Sequence, residues 1–132
     1  MKKDTPDLEK SFTWLVKAAK NNDAEALYAL GTWYLHGRHV KKNPRLAVQY
    51  FQKAITGNYK EAFYDLGVCF EKGVGTNKDK WQAFECYLRA ALLGDKQSIY
   101  EVGRCYYYGI GILKNLDVAE IWLERAKNLG IS

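Results

Sequence analysis

Residues 62–95 read AFYDLGVCFEKGVGTNKDKWQAFECYLRAALLGD, and the same pattern recurs on both sides of this stretch at a spacing of 36 residues. Leu66-Gly67, Phe70, Gly73, Ala83 and Ala90 have counterparts before it at Leu30-Gly31, Tyr34, Gly37, Ala47 and Ala54. After it, the same positions are Val102-Gly103, Tyr106, Gly109, Ala119 and Ala126. A fixed period of this length, held at several small and aromatic positions together, marks an array of stacked structural repeats.

Each unit divides into two helices. The first spans about 23–36 in the first copy, with Asp23 as its N-cap and Ala26, Leu27, Leu30 and Tyr34 as its buried stripe. Gly31, Gly67 and Gly103 fall in mid-helix, where glycine costs about 1 kcal/mol relative to alanine. A cost repeated in every unit implies close approach of the paired helix at that spot. Gly37, Gly73 and Gly109 then supply the left-handed residue that ends the helix. The second helix starts after Asn43, Asp79 or Asn115, good N-caps at one repeat position, and Pro44 takes the first helical place, where proline is tolerated. Its apolar seam is Ala47, Tyr50, Phe51 and Ala54, then Ala83, Cys86, Tyr87 and Ala90, then Ala119, Trp122, Leu123 and Ala126. Asn58, Gly94 and Gly130 close the units, which span about 23–58, 59–94 and 95–130.

Working outward, Leu8, Phe12, Leu15 and Ala19 form one more helical stripe over about 7–21. Trp14, Leu15 and Ala18 lie one period before Tyr50, Phe51 and Ala54, so this helix is the second half of a repeat and is expected to cover the open end of the stack. At the other end Val48 and Phe84 become Glu120, while Ile55 and Ala91 become Lys127. That polar turn is what the last unit of a stack needs. The expected architecture is a single all-α domain over 1–132: a capping helix and three antiparallel pairs.

Composition and motifs narrow the function. Twenty basic against fifteen acidic residues give a formal charge of +5, which favours acidic partners. Only Arg38, His39, Lys41, Lys42 and Arg45 cluster, in the first inter-helix loop. They form either a solvated loop or a secondary contact for nucleic acid or an acidic partner. Tyrosines beside such a cluster can stack on bases, yet the basic residues do not line the inferred groove, so nucleic acid is not the expected partner. The chain has no long apolar run, and MKKDTPDLEK has no leader pattern, so no membrane span and a cytoplasmic location are expected.

Three cysteines, Cys69, Cys86 and Cys105, cannot all pair and read as reduced, buried thiols. Cys69 and Cys105 share the repeat position of Trp33, which marks them as packing residues. No histidine sits at helical spacing to activate a thiol, and His36 and His39 have no partners to complete a four-ligand metal site. No phosphate-cradling loop is present. The sequence therefore predicts no catalysis, no metal and no cofactor.

The pattern Ala-x-x-x-Leu-Gly-x-x-Tyr-x-x-Gly, a short loop, a capping Asn or Asp, then Ala-x-x-aromatic-aromatic-x-x-Ala and a closing Gly resembles the Sel1-like repeat family, a relative of the tetratricopeptide repeats. The match covers residues 11 to 130. The resemblance implies a right-handed α-solenoid of three 36-residue helix-turn-helix repeats behind an N-terminal capping helix. It also implies a scaffold, adaptor or binding module whose protein or peptide partner lies on the concave face lined by the first helices. Some secreted Sel1-like proteins are linked to β-lactam binding and carry a disulfide in each repeat. The paired cysteines are missing here, so that activity is not expected. The Gly-x-Gly loop is intact at Gly73-Val74-Gly75 and Gly109-Ile110-Gly111, but the first unit reads Gly37-Arg38-His39, which places His39 where positive φ is needed.

In the tetratricopeptide-like geometry the groove positions are Tyr28, Thr32, Leu35 and His36, then Tyr64, Val68 and Glu71, with Lys72 beside them, then Tyr100, Arg104, Tyr107 and Tyr108. Tyrosine and arginine are favoured interface anchors, and Tyr64, Tyr100, Arg104 and Tyr108 are expected to act as such without contributing to folding. Trp81, Phe84 and Leu88 form a line found only in the middle unit, suited either to packing between neighbouring helices or to self-association. A monomer or weak homodimer is expected.

Overall fold

The computed structural model describes residues 7–132; the reading of the first six residues as part of a leaderless N-terminus lies outside them. Among the described residues the secondary structure is helical throughout, in seven α-helices. They are α1 (Leu8–Lys20), α2 (Ala24–His36), α3 (Pro44–Ala54), α4 (Lys60–Lys72), α5 (Lys80–Leu92), α6 (Lys96–Tyr108) and α7 (Leu116–Asn128). Helices α2 and α3, α4 and α5, and α6 and α7 pair, and the pairs stack in chain order. This is the α-solenoid the repeats demand.

The boundaries follow from backbone chemistry. Asp23, Asn43, Asp79 and Asn115 each accept a hydrogen bond from the backbone N–H three residues on, at 3.0 to 3.1 Å. Asp7 and Asp95 cap α1 and α6 in the same way. Gly37, Gly73 and Gly109 end the first helices at φ of 69°, 72° and 73°. One element departs from the pattern: α3 stops at Ala54 and finishes as a 3-10 turn over Ile55–Gly57, before Asn58 takes the left-handed position at φ 56°. Because asparagine tolerates that conformation and most side chains do not, Asn58→Ala should lower stability by about 1 kcal/mol, with Asn58→Gly close to wild type. Chemical denaturation of the two variants checks the pair.

The mid-helix glycines are seats for side chains of the paired helix, and at Gly103 its backbone comes close as well. The Phe51 ring lies against Gly31, the Tyr87 ring against Gly67 and the Leu123 side chain against Gly103. These occupants sit 20 residues after their glycine in every unit, so the seat is part of the repeat. Around them Leu30, Phe51, Leu66, Tyr87, Val102 and Cys105 are fully buried.

Stacking between units uses a different glycine. Gly75 (φ 74°) closes on the Pro44 carbonyl at the start of α3, and Gly111 (φ 70°) closes on the Lys80 carbonyl at the start of α5. The second glycine of each Gly-x-Gly therefore joins one unit to the preceding one, while the first ends its helix. In the first unit His39 takes this place at φ 66°, with its ring against Phe12 of α1 and Trp33 of α2. Of the line peculiar to the middle unit, Phe84 is buried edge-on against Tyr106 and Leu88 packs on the core, while Trp81 stays 59% exposed.

Candidate protein-binding surface

The first helices α2, α4 and α6 are bridged by side chains from unit to unit. The Tyr28 ring on α2 packs on Phe51 and on Tyr59 at the entry to α4, and its hydroxyl faces Asp65 on α4. Burial pushes the Asp65 carboxyl above its ordinary value, which the neighbouring Tyr28 and His36 partly offset. Burial first, and then Asp65, push the Tyr28 hydroxyl up as well. Tyr64 packs on Tyr87 at 5.9 Å between ring centres, with Glu101 of the next first helix near it.

Between α4 and α6 lies an ion-pair network. Arg104 donates from Nη2 to Glu71 at 2.6 Å and from Nε to Glu101 at 2.8 Å. The Tyr87 hydroxyl donates to the same Glu71 oxygen at 2.9 Å. Burial alone would raise the Glu71 carboxyl, but these hydrogen bonds outweigh it and hold the group below its usual range. Hydrogen bonding to Glu71 raises Arg104 in turn, against the opposing effect of its burial.

The expected groove residues thus divide by what holds them. Tyr28, Leu35, Tyr64, Val68 and Tyr100 pack against the core with part of their surface open, and the Thr32 hydroxyl donates to the Ala29 carbonyl. Arg104 is held by Glu71, and Tyr64 and Tyr100 by the core, which corrects the expectation that these three play no part in folding. His36, Tyr107 and Tyr108 are the open ones. Tyr107 and Tyr108 are 47% and 68% exposed and meet edge to face at 4.9 Å.

In the first loop Arg38 lies over the Trp33 ring at 4.9 Å, and His39 belongs to the Phe12 and Trp33 cluster. Lys41, Lys42 and Arg45 are exposed, with Arg45 beside Gly75, Thr76 and Asn77 of the next loop. The basic loop is therefore partly spent on packing.

The chain-wide pattern decides the family, since the Sel1 repeat matches residues 4–23, 24–59, 60–95 and 96–131. The chain belongs to the Sel1 repeat family. Among solved structures, this Sel1 protein is similar to a Sel1 repeat protein from Oxalobacter formigenes, at 32% identity and a TM-score of 0.83, over 92% of this chain and 91% of that one. It is also similar to a protective antigen of uropathogenic Escherichia coli strains displaying an SLR fold, at 28% identity and a TM-score of 0.91, over 94% of this chain but 27% of that one. Cysteine-rich protein B of Helicobacter pylori matches at 29% identity and a TM-score of 0.71, over 94% of this chain and 89% of that one. Comparison with curated proteins gives no match.

Sel1 repeat proteins generally mediate protein–protein interactions and are typically non-catalytic scaffolds. Among the described residues of this one, no helix is long and apolar enough to cross a membrane. Burial pushes its thiols up, Cys69 to about 11 and Cys86 and Cys105 to about 12, so all three are protonated at neutral pH.

Proposed function

We propose that the whole chain acts as one non-catalytic adaptor domain whose protein or peptide partner lies along α2, α4 and α6. The observation that carries this reading is the row Tyr28, Tyr64 and Tyr100 at one repeat position, half-open along successive first helices, with Tyr107 and Tyr108 free at its end. Aromatic side chains already fixed by packing lose little freedom on binding, which is what anchors require. The protonated, buried thiols support a packing role and a reducing, cytoplasmic setting over nucleophilic chemistry.

A partner captured from the source organism with the full chain as bait provides the test. Tyr108→Ala should then weaken binding about tenfold, the effect of losing one anchor, with an unchanged melting temperature. Tyr100→Ala should weaken binding and also cost stability. If Tyr108→Ala and Tyr100→Ala bind as wild type while Arg38→Ala with Lys42→Ala does not, the partner uses the basic first loop instead.

A further inference from the structure

The repeats provide their own reference for what belongs on an exposed surface. At the position of Glu71 the third unit has Tyr107, at that of His36 and Lys72 it has Tyr108, and at that of Lys41 and Asn77 it has Leu113. Leu116 likewise stands where the middle unit has Lys80, and Ile121 where the first two units have Gln49 and Glu85. Eight of the ten large apolar side chains exposed among the described residues lie from Leu92 onward, so this end carries most of the free apolar surface.

Part of it forms a groove of about 670 Å³ along α7, floored by Tyr107, Leu116 and Leu123 and edged by Glu120, Glu124 and Lys127. Helices α3 and α5 pack against α4 and α6, and at the position of Glu120 they bury Val48 and Phe84. Along α7, Leu116, Glu120, Leu123 and Lys127 follow one another at steps of four, three and four, a single stripe that alternates apolar and charged residues.

We propose that this stripe is the contact surface of a homodimer in which the α7 helices of two copies lie antiparallel about a two-fold axis near Leu123. A two-fold contact must be complementary to itself. This stripe meets the requirement, because Glu120 of one copy then faces Lys127 of the other, twice, with Leu123 of each copy between the two pairs. The apolar centre supplies attraction, and the charges set orientation. The contact is small, so the dimer is weak and sensitive to salt.

Sedimentation equilibrium of the full chain, from micromolar to millimolar concentration at low salt, tests this. Wild type should approach twice the monomer mass and go no further. Leu116→Asp should remain monomeric, as should Glu120→Lys and Lys127→Glu alone. The doubly reversed Glu120→Lys, Lys127→Glu chain should dimerise again, since each pair is restored with its signs exchanged. All three positions changed are exposed, and circular dichroism verifies that each variant is folded. A wild type monomeric throughout, growth beyond two copies, or a double reversal no better than the single ones would overturn the proposal.

Discussion

Gly67→Val is expected to cost about 3 kcal/mol, near the upper end of what overpacking a core does. A Cβ at Gly67 would stand 2.7 Å from the Tyr87 ring. That ring cannot retreat easily, because Tyr87 is 1% exposed and its hydroxyl is tied to Glu71. The branched chain therefore has to part α4 from α5. Gly94→Ala is the control: nothing lies within 4 Å of its would-be Cβ, but its φ is 96°, so only backbone strain of about 1 kcal/mol applies. Thermal unfolding that ranks the two variants alike would refute the seat.

Arg104→Met should cost about 2 kcal/mol at neutral pH. Removing one member of a buried ion pair costs about 3–5 kcal/mol, reduced here because the Arg104 side chain is 25% exposed and partly screened. What remains is Glu71 and Glu101, two part-buried carboxylates that have lost their shared cation. Adding Glu71→Gln should recover part of the loss.

The pH dependence has a definite sign. In the wild type the lowered Glu71 carboxyl contributes stability that is present above the unfolded-state pKa and lost as pH falls through the native one. In Arg104→Met, Glu71 has lost the cation that helps hold its carboxyl low, so this acid-sensitive contribution is reduced. The stability gap between the two proteins should therefore narrow on acidification, as denaturant melts at neutral and acidic pH would show. A gap that holds constant would mean that the network contributes packing alone.

These two sites differ in how far the sequence discloses them. Gly67 could be read because a mid-helix glycine is costly, recurs at each period and has its occupant at a fixed distance along the chain. Backbone needs of this kind admit few residue types, so the caps at Asp23, Asn43, Asp79 and Asn115 were readable for the same reason. Arg104 could not be read in this way. Its repeat positions hold Thr32 and Val68, and its partner Glu71 lies in the neighbouring unit at a position that elsewhere holds Leu35 and Tyr107. A charge pair formed across units by residues that do not recur leaves no periodic trace. The spacing of Glu101 and Arg104 was a usable local sign, since residues three apart on a helix meet. Tyr64 shows the remaining difficulty: a tyrosine on a half-open face presents one side to the core and the other to solvent, and the residue type alone does not say which dominates.

Helix α1 has no fully buried side chain and meets its neighbour through Phe12 on Trp33, Tyr34 and His39, at the one junction among the described residues without the second loop glycine. In a one-dimensional array each unit is stabilised by its neighbours, so opening begins where the coupling is weakest. Amide protons of α1 should thus exchange with solvent well before those of α4 and α5, and deuterium uptake should advance along the array from that end instead of proceeding in one concerted step.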